Sequence, residues 1–452
     1  MNRLRRTAAF ATMPDLTPSL IFSLLFAVLI SFNLGLKAWL NLRQVRSVLS
    51  HQHDVPADFA GHIEPDKHAT AARYTADRLQ HDLLGSAVAV LLLVCWTLAG
   101  GLQWVQEQIA AQPFLVQHPL LAGLVLLGVF ALVGALIDLP FSWASTFRLE
   151  ARYGFNRSTQ RLFWSDQARG LLLALLIGGP LAALVLWAMA AAGPLWWLAA
   201  WGIWVAFTLA MMVIFPLWIA PLFNRFEPLK DAELLAGIEA LMRRCGFQSR
   251  GVFVVDGSRR SARANAYFTG LGRAKRVVFY DTLLDKLSPE ETHAVLAHEL
   301  GHFRLNHIAW RIGIALGLGL PLLALLGWVG QQGWFYTGLG VLPGTLPRDH
   351  AALLILLMLA LPEFTFALSP FTARLSRRHE FEADAYASAH ADRDALRSAL
   401  LKLYRDNAST LTPDPVYARF YYSHPPASER LAALARLPRL TPGLEAQTAG
   451  AA

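Results

Sequence analysis

The chain has 452 residues, of which 55% are hydrophobic and only 16% are charged, and its mean hydropathy is +0.38. This composition excludes an ordinary soluble enzyme and predicts a protein with several membrane-spanning helices. The net charge of +8 does not indicate nucleic-acid binding, because the basic residues lie in loops beside apolar segments, and the two cysteines, Cys95 and Cys245, exclude a disulfide framework.

Seven apolar segments are long enough to cross a bilayer of about 30 Å. They lie near residues 17–40, 83–105, 119–147, 170–193, 195–224, 307–330 and 351–371. Lys and Arg concentrate between them in 41–82, 148–169 and 225–306, and again in the C-terminal segment. The positive-inside rule therefore predicts that these regions and the C-terminus are cytoplasmic and that the N-terminus lies outside, although the N-terminal arginines do not fit this orientation.

The chain is thus expected to be a mostly α, polytopic membrane protein with a small cytoplasmic α+β portion. Residues 1–224 form a membrane domain with five transmembrane helices, and 307–371 supply two more. The segments 225–306 and 372–440 are predicted to be cytoplasmic. The tail 441–452, rich in Ala, Gly and Thr, is predicted to be disordered.

A small soluble region precedes the strongest motif. Residues 231–245 are amphipathic and predict a helix, and a small antiparallel sheet is expected to follow. An edge strand can bind an extended peptide by strand addition, so Asn265 and Ala266 are candidate contacts for a peptide substrate. A purely structural strand explains the pattern equally well. The three predicted strands lie at 251–255, 264–270 and 276–281.

The segment 288–307, SPEETHAVLAHELGHFRLNH, contains an H-E-x-x-H motif. His298 and His302 lie four residues apart, so on a helix both imidazoles can bind one zinc ion while Glu299 flanks its open side. Ser288, followed by proline and two glutamates, predicts the start of that helix. A solvated helix without metal remains an alternative, because so short a pattern also arises by chance.

A third ligand is expected from the segment 377–391, RRHEFEADAYASAHA. Glu380 and Asp384 lie four apart on one helical face, so Glu380 can complete the zinc site while Asp384 accepts the second N–H of a ligand histidine. The neighbouring Glu382 is expected to face solvent. His307 follows His302 by five residues without a glycine to turn the chain, so it is not expected to be a ligand.

The last motif is YYSHPPASERLAAL, at 421–434. His424 precedes two prolines and is therefore held in an extended, rigid setting, which suits a donor that stabilises an oxyanion. Arg430 is placed to anchor an acidic neighbour.

These motifs, in this order, resemble those of the type I CAAX prenyl endopeptidases, which are integral-membrane zinc metalloproteases of the gluzincin group. The resemblance implies seven transmembrane helices around a water-filled chamber, with one zinc ion held by His298, His302 and Glu380. It also implies that Glu299 is the general base. The resemblance further implies that Asp384 supports a ligand histidine and that Asn265 lies on the strand that binds substrate. It also implies functional roles for His424 and Arg430 near the C-terminal end of the matched motifs. The motifs concerned are ARYGFNRST (151–159), PLFNRFEPL (221–229), NAYFTG (265–270), AHELGH (297–302), SRRHEFEADAYA (376–387) and YSHPPASERLAAL (422–434).

The expected function is hydrolysis of peptide bonds near the cytoplasmic face, in protein or peptide substrates that are lipidated or membrane-associated. Membrane lipids are expected partners, whereas nucleic acid and an obligate protein partner are not. The 34 Arg against 6 Lys indicate a GC-rich bacterial genome and hence a bacterial inner membrane.

Three alternatives stay open at the sequence level. A membrane quality-control protease of the heat-shock type shares the zinc motifs but is much shorter. An intramembrane site-2 protease would place its motif inside an apolar helix, unlike the polar surroundings of His298 and His302. A transporter or channel with a structural metal would leave Glu299 unexplained, because a structural zinc usually fills its fourth position with protein.

Overall fold

The computed structural model describes residues 17–247, 251–269 and 276–438, so the predicted disordered tail at 441–452 lies outside the described residues. Within these ranges the chain is mostly helical. The helices are α1 Pro18–Ser50, α2 Pro65–Trp96, α3 Gly101–Ala110, α4 Pro113–Gln117, α5 Pro119–Ala144, α6 Gln160–Leu173, α7 Gly179–Ala191, α8 Trp196–Ile214, α9 Ala220–Phe223, α10 Ala232–Arg244, α11 Asp281–Leu284, α12 Pro289–Arg304, α13 His307–Val329, α14 Gly333–Gly338, α15 His350–Thr365, α16 Ser369–His390, α17 Arg393–Asp406, α18 Pro415–Tyr421 and α19 Ala427–Arg436.

Seven helical stretches among the described residues are long and apolar enough to cross a membrane, which confirms the predicted number. The last two are each 41 residues long, because α13 follows α12 almost directly and a short turn joins α15 to α16. The predicted ligands therefore lie on helical extensions of the sixth and seventh spans. The stretches are Pro18–Ser50, Pro65–Trp96, Pro119–Glu150, Gln160–Ala191, Gly193–Phe223, Pro289–Val329 and His350–His390.

The helices begin where the sequence supplies caps. Proline occupies an early position in α1, α2, α5 and α12, where its missing N–H has no helical partner to lose. In α12 the predicted capping box is present: the hydroxyl of Ser288 accepts the N–H of Glu291, and the carboxylate of Glu291 accepts the N–H of Ser288. Asn306, at φ 58°, then separates α12 from α13. The motif helix is thus fixed at both ends.

The soluble region contains a four-stranded mixed sheet in the order β1-β2-β4-β3. The prediction of an antiparallel sheet was wrong in one respect: β2 and β4 are parallel, because the chain crosses to the far edge before β3 returns beside β4. The three-residue strand β1 was missed, since so short a segment shows no alternation. The strands are β1 Phe226–Pro228, β2 Val252–Val255, β3 Ala266–Thr269 and β4 Arg276–Tyr280.

One hydrophobic core joins this sheet to the motif helix. Ile238 of α10, Phe279 of β4, Leu296 of α12, Leu396 of α17 and Leu431 of α19 are buried together. Full burial of each such side chain contributes about 1.5–3 kcal/mol of hydrophobic free energy. The core therefore holds α12 firmly between the sheet and the C-terminal helices.

Helix α12 also packs closely along α16, and Gly301 makes this approach possible. A Cβ atom added at Gly301 would lie 3.0 Å from the Cα atom of Ala383 and 3.1 Å from its carbonyl oxygen. Only a residue without a side chain fits there without a shift of backbone, which offsets the helix-weakening effect of glycine. Gly301 thus lets His298 and His302 come within reach of Glu380.

A second core lies among the spanning helices, where Phe26 of α1, Leu126 of α5 and Leu356 of α15 are fully buried. Within this apolar region the amide of Asn33 donates to the carboxylate of Glu363 at 2.7 Å. A buried carboxylate at this depth is costly unless it has such a partner. The pair therefore ties α1 to α15.

Candidate active site

Three predicted ligands converge between α12 and α16. The Nε2 atoms of His298 and His302 lie 3.3 Å apart, Glu380 Oε1 lies 3.2 Å from His302 Nε2, and Glu380 Oε2 lies 3.5 Å from His298 Nε2. The helix places the two histidines on one face, as their spacing predicts. Glu380 comes from a helix 78 positions later in the chain, and the α12–α16 packing at Gly301 brings it there.

The donor set and its distances fit a zinc ion. Tetrahedral zinc with bonds of about 2.0–2.1 Å to nitrogen places two ligand nitrogens about 3.4 Å apart, close to the separation of the histidine Nε2 atoms. In addition, Glu380 Oε2 is buried and has no hydrogen-bond partner within the part of the chain that the structure describes. The Arg430 guanidinium lies 3.5 Å from this oxygen and offsets its charge without a hydrogen bond, so a directly bound cation would satisfy the oxygen better.

Asp384 and Arg430 support this cluster from behind. Asp384 Oδ1 lies 2.8 Å from His298 Nδ1, and both Asp384 oxygens accept hydrogen bonds of 2.7 Å from the Arg430 guanidinium. Both residues are buried. Burial alone would lower the pKa of Arg430, but the adjacent Asp384 carboxylate outweighs it, so this pKa lies above its ordinary value. A charged Arg430 holds Asp384 ionised and oriented toward His298.

His302 has a different partner behind it, which the sequence did not reveal. His302 Nδ1 lies 3.1 Å from Nδ1 of the buried His307, and His307 Nε2 lies 3.0 Å from Glu382 Oε2. Glu382 is 37% exposed and also accepts a hydrogen bond from Arg378. The expectation that Glu382 simply faces solvent was therefore wrong, because α16 turns it toward His307. As predicted, His307 lies outside the three-ligand cluster.

Glu299 and His424 lie beside the three ligands. Glu299 is partly buried on α12 and interacts electrostatically with His298, His302 and Glu380. His424 Nε2 lies 3.5 Å from Glu380 Oε1, and the His424 side chain is 64% exposed toward the cavity described below. The segment 421–434 thus brings His424 next to the candidate ligand Glu380.

The chain just before His424 is held by contacts with two helices, α16 and α1. Arg377 of α16 donates hydrogen bonds to the carbonyl oxygens of Ala418 and Tyr422, at 3.0 and 2.7 Å. Asp414 caps α18 and pairs with Arg43 of α1 at 2.9 Å. These contacts position His424 relative to both α16 and the first membrane span.

Asn265 and Ala266 lie at the start of β3, the strand at the edge of the sheet. Asn265 is exposed, and its carbonyl oxygen accepts the N–H of Tyr280. Just before it, Ala264 and Asn407 exchange hydrogen bonds between the backbone of the former and the side chain of the latter. The start of β3 is therefore held in place at the edge of the sheet, and the N–H of Ala266 is bonded to the side-chain oxygen of Asn265 at 2.8 Å.

The site opens into the space between the spanning helices. A cavity of about 850 Å³ is lined by Tyr74, Arg263, His424 and Arg430, among other residues. A second, more apolar cavity of about 610 Å³ extends between α2, α5 and α15, and Lys37 lines both. The carboxylate of Glu150 pairs with Arg263 at 3.2 Å and accepts a hydrogen bond from the Tyr74 hydroxyl, which fixes one wall.

Comparison with known proteins assigns both halves of the chain. Residues 44–225 match the family model described as the CAAX prenyl protease N-terminal region with five membrane helices, and residues 228–437 match peptidase family M48. An N-terminal region with five membrane helices agrees with the predicted CAAX type rather than with the shorter heat-shock type.

Individual relatives agree. The chain is 33% identical over 413 residues to a CAAX prenyl protease 1 homolog of Oryza sativa, covering 88% of this chain and 93% of the rice protein. It is 37% identical over 320 residues to CAAX prenyl protease 1 of Saccharomyces cerevisiae, covering 68% and 71%. These relatives are eukaryotic and give no support to the expected bacterial source.

The fold is also known from a crystal structure. Ste24p of S. mikatae superposes with a TM-score of 0.83 at 30% sequence identity, covering 93% of this chain and 100% of that one. Long sequence matches, the shared fold and the His-His-Glu cluster all agree. The chain therefore belongs to the CAAX prenyl protease 1 family, the membrane-embedded zinc metalloendopeptidases of peptidase family M48.

Proposed function

We propose that this protein cleaves prenylated, membrane-associated protein substrates at a site where His298, His302 and Glu380 hold one zinc ion. The observation that carries the proposal is the convergence of these three ligand atoms beside Glu299. A two-histidine, one-glutamate set leaves a fourth position open, which is typical of catalytic rather than structural zinc. The prenylated substrate class follows from the CAAX prenyl protease relatives.

When bound, the zinc ion supplies Lewis acidity for the scissile carbonyl and for the attacking water. Glu299 removes a proton from that water and passes it to the leaving amine. His424, beside Glu380 and exposed to the cavity, donates a hydrogen bond to the oxyanion that develops on the carbonyl oxygen. The cleft between α12 and the segment 421–434 therefore holds the groups needed for peptide hydrolysis.

The outer residues orient the ligands. Asp384 accepts the Nδ1–H of His298, which leaves Nε2 of that ring free to bind metal. His302 must likewise carry its hydrogen on Nδ1, where it donates to His307 Nδ1, and His307 then donates through Nε2 to Glu382. Each ligand histidine thus has its tautomer set by a partner behind it.

The substrate backbone is proposed to pair with β3. This strand lies at the sheet edge, so an extended peptide can add to it through main-chain hydrogen bonds, with Asn265 and Ala266 at the contact. The cavity lined by His424 and Arg430 is then proposed as the path by which a substrate's C-terminal segment approaches the site.

The placement in the membrane is also proposed from charge. The basic residues of 41–82, 148–169 and 225–306 favour a cytoplasmic location for these regions and for the site. The division into membrane segments 1–224 and 307–371 and cytoplasmic segments 225–306 and 372–440 follows from the same pattern.

The substrate class can be tested with the purified protein in liposomes. Two peptides of identical sequence, ending in a CAAX tetrapeptide and differing only in a prenyl group on the cysteine, are compared by mass spectrometry of the released fragment. The proposal expects cleavage to be strongly favoured for the prenylated peptide. Equal kcat/KM for both peptides would overturn the substrate class. Failure of the zinc-loaded protein to cleave both peptides would count against the peptidase assignment to this site.

His424→Ala is expected to reduce turnover by about 10²- to 10³-fold, the effect of removing one oxyanion donor. KM and zinc content should stay near their wild-type values, because the His424 ring contacts Glu380 only at 3.5 Å and is not in the ligand cluster. Steady-state kinetics together with metal analysis make this comparison.

His390→Ala provides the control, since this histidine lies at the end of α16 and bonds the carbonyl oxygen of Tyr386. A His424 variant with increased KM and unchanged kcat would instead identify a uniform substrate contact. Loss of zinc from that variant would also contradict the oxyanion role.

A further inference from the structure

A second group of metal-ligating side chains lies directly behind the catalytic cluster. His307, His379 and Glu382 each offer one ligand atom, and these atoms lie within 4.8 Å of one another. His307 comes from the start of α13, while His379 and Glu382 flank Glu380 on α16. None of the three is needed as a ligand in the proposed reaction.

The group has the composition of a metal site. Two imidazoles and a carboxylate are the donor set found in the catalytic cluster itself, and they suit zinc and other borderline divalent metals. The His307 and His379 rings stack in parallel with centroids 4.0 Å apart. His379 Nδ1 is buried and has no hydrogen-bond partner among the described residues. One nitrogen of His379 already lies within 4.8 Å of the ligand atoms of His307 and Glu382, close enough for the three side chains to share a cation.

We propose that His307, His379 and Glu382 form a second site for a divalent cation of the zinc type, and that occupation of this site inhibits the protease. The inference rests on the proposed function, in which His298, His302 and Glu380 hold the first ion. The second site should be weaker, because Arg378 already pairs with Glu382 Oε1 at 2.8 Å and Glu382 is partly exposed to water.

Inhibition follows from the contact that joins the two sites. The Nδ1 atoms of His302 and His307 lie 3.1 Å apart, which leaves room for one hydrogen. A metal on His302 Nε2 requires that hydrogen on His302, and a metal on His307 Nε2 requires it on His307. If both sites are occupied, the Nδ1 atoms of His302 and His307 must either both carry a hydrogen, so that two N–H groups face each other, or one ring must lose its hydrogen and become an anion. Both arrangements are unfavourable.

Binding of a cation at one site therefore lowers the affinity of the other site. A cation at His307 weakens the orientation of His302, and by thermodynamic reciprocity the catalytic zinc weakens the second site. Coupling of this kind typically changes affinity by about 5- to 150-fold. Excess zinc should therefore lower activity without displacing substrate.

The test uses the full-length protein, reloaded with one equivalent of zinc and then titrated with more. Bound zinc is counted after gel filtration, and cleavage is measured in parallel. We expect a second bound zinc and an accompanying loss of activity. In His379→Phe, which keeps an aromatic ring to stack on His307 but removes both nitrogens, we expect one bound zinc, near-normal basal activity and no inhibition.

His390→Phe is the matched control, because His390 lies on the same helix and stacks on Tyr386 at 4.0 Å between centroids. It should keep the second zinc and the inhibition. If His379→Phe fails to fold, Glu382→Gln replaces it. For this variant only the number of bound zinc ions is measured, and we expect one. A second zinc retained by either folded variant, or wild-type protein that binds only one zinc, would overturn this inference. The proposed function is tested separately by Glu380→Ala, which should lose the first zinc. If it kept that zinc, the assignment of the first site would be wrong, whatever the result for the second site.

Discussion

Glu299→Gln is expected to abolish cleavage while the fold and the zinc content remain unchanged. The substitution preserves the size of the side chain and removes only its ability to accept a proton. General-base catalysis typically contributes about 10²- to 10⁴-fold, so turnover should fall by at least this range. Because Glu299 is not among the three ligand residues, metal binding does not depend on its charge.

The measurement is a single-turnover cleavage assay on protein whose zinc content has been determined. Glu290→Gln serves as the control, because this residue is exposed in the first turn of the same helix and bonds only the Ser288 hydroxyl among the contacts described. It should cleave at close to the wild-type rate. Near-wild-type turnover by zinc-loaded Glu299→Gln would remove Glu299 from the mechanism.

Glu380→Ala is expected to lose zinc as well as activity. In the proposed site Glu380 supplies the third ligand oxygen, which lies 3.2 Å from His302 Nε2, and the alanine variant leaves two histidines without a carboxylate. Loss of an outer-shell partner alone typically lowers metal affinity about 10- to 100-fold, so loss of a ligand should exceed this range. Competition with a chromogenic chelator measures the zinc affinity directly.

Glu382→Ala is the matched control on the same helix. Glu382 contacts His307 rather than the ligand cluster, so its removal should lower the affinity for the first zinc by about tenfold or less. The ligand assignment would be wrong if Glu382→Ala lost the first zinc as readily as Glu380→Ala did.

The three candidate ligands could be predicted because each lies in a local sequence pattern. The helix start at Ser288, the spacing of His298 and His302, and the spacing of Glu380 and Asp384 all follow from helical periodicity. The sequence also predicted that the segments 288–307 and 377–391 lie on the same side of the membrane, because two predicted spans separate them. The seven spans could likewise be predicted, because the length and hydropathy of a segment are local properties of the sequence.

The support behind His302 could not be predicted, because it depends on tertiary packing. His307 and Glu382 lie 75 positions apart, and no local spacing indicates that α13 and α16 bring them together. The sequence instead favoured a solvent-facing Glu382, since helix periodicity says nothing about a neighbouring helix. A third histidine close to a metal motif was the only available signal.

The parallel strand pair was missed for a related reason. Alternation of side chains identifies strands but not their order, and β3 lies at the edge although it precedes β4 in the chain. The sequence analysis assumed an edge strand beside Asn265, and the order β1-β2-β4-β3 places that strand at the edge of the sheet, as the proposed substrate role of Asn265 requires.

The most direct test of the central claim is the location of zinc itself. Crystals of Glu299→Gln protein loaded with one equivalent of zinc would be measured at wavelengths on either side of the zinc absorption edge. We expect one anomalous peak, within bonding distance of His298 Nε2, His302 Nε2 and a Glu380 oxygen. A sole peak at another position, in protein whose wild-type form is active with one zinc, would contradict this claim.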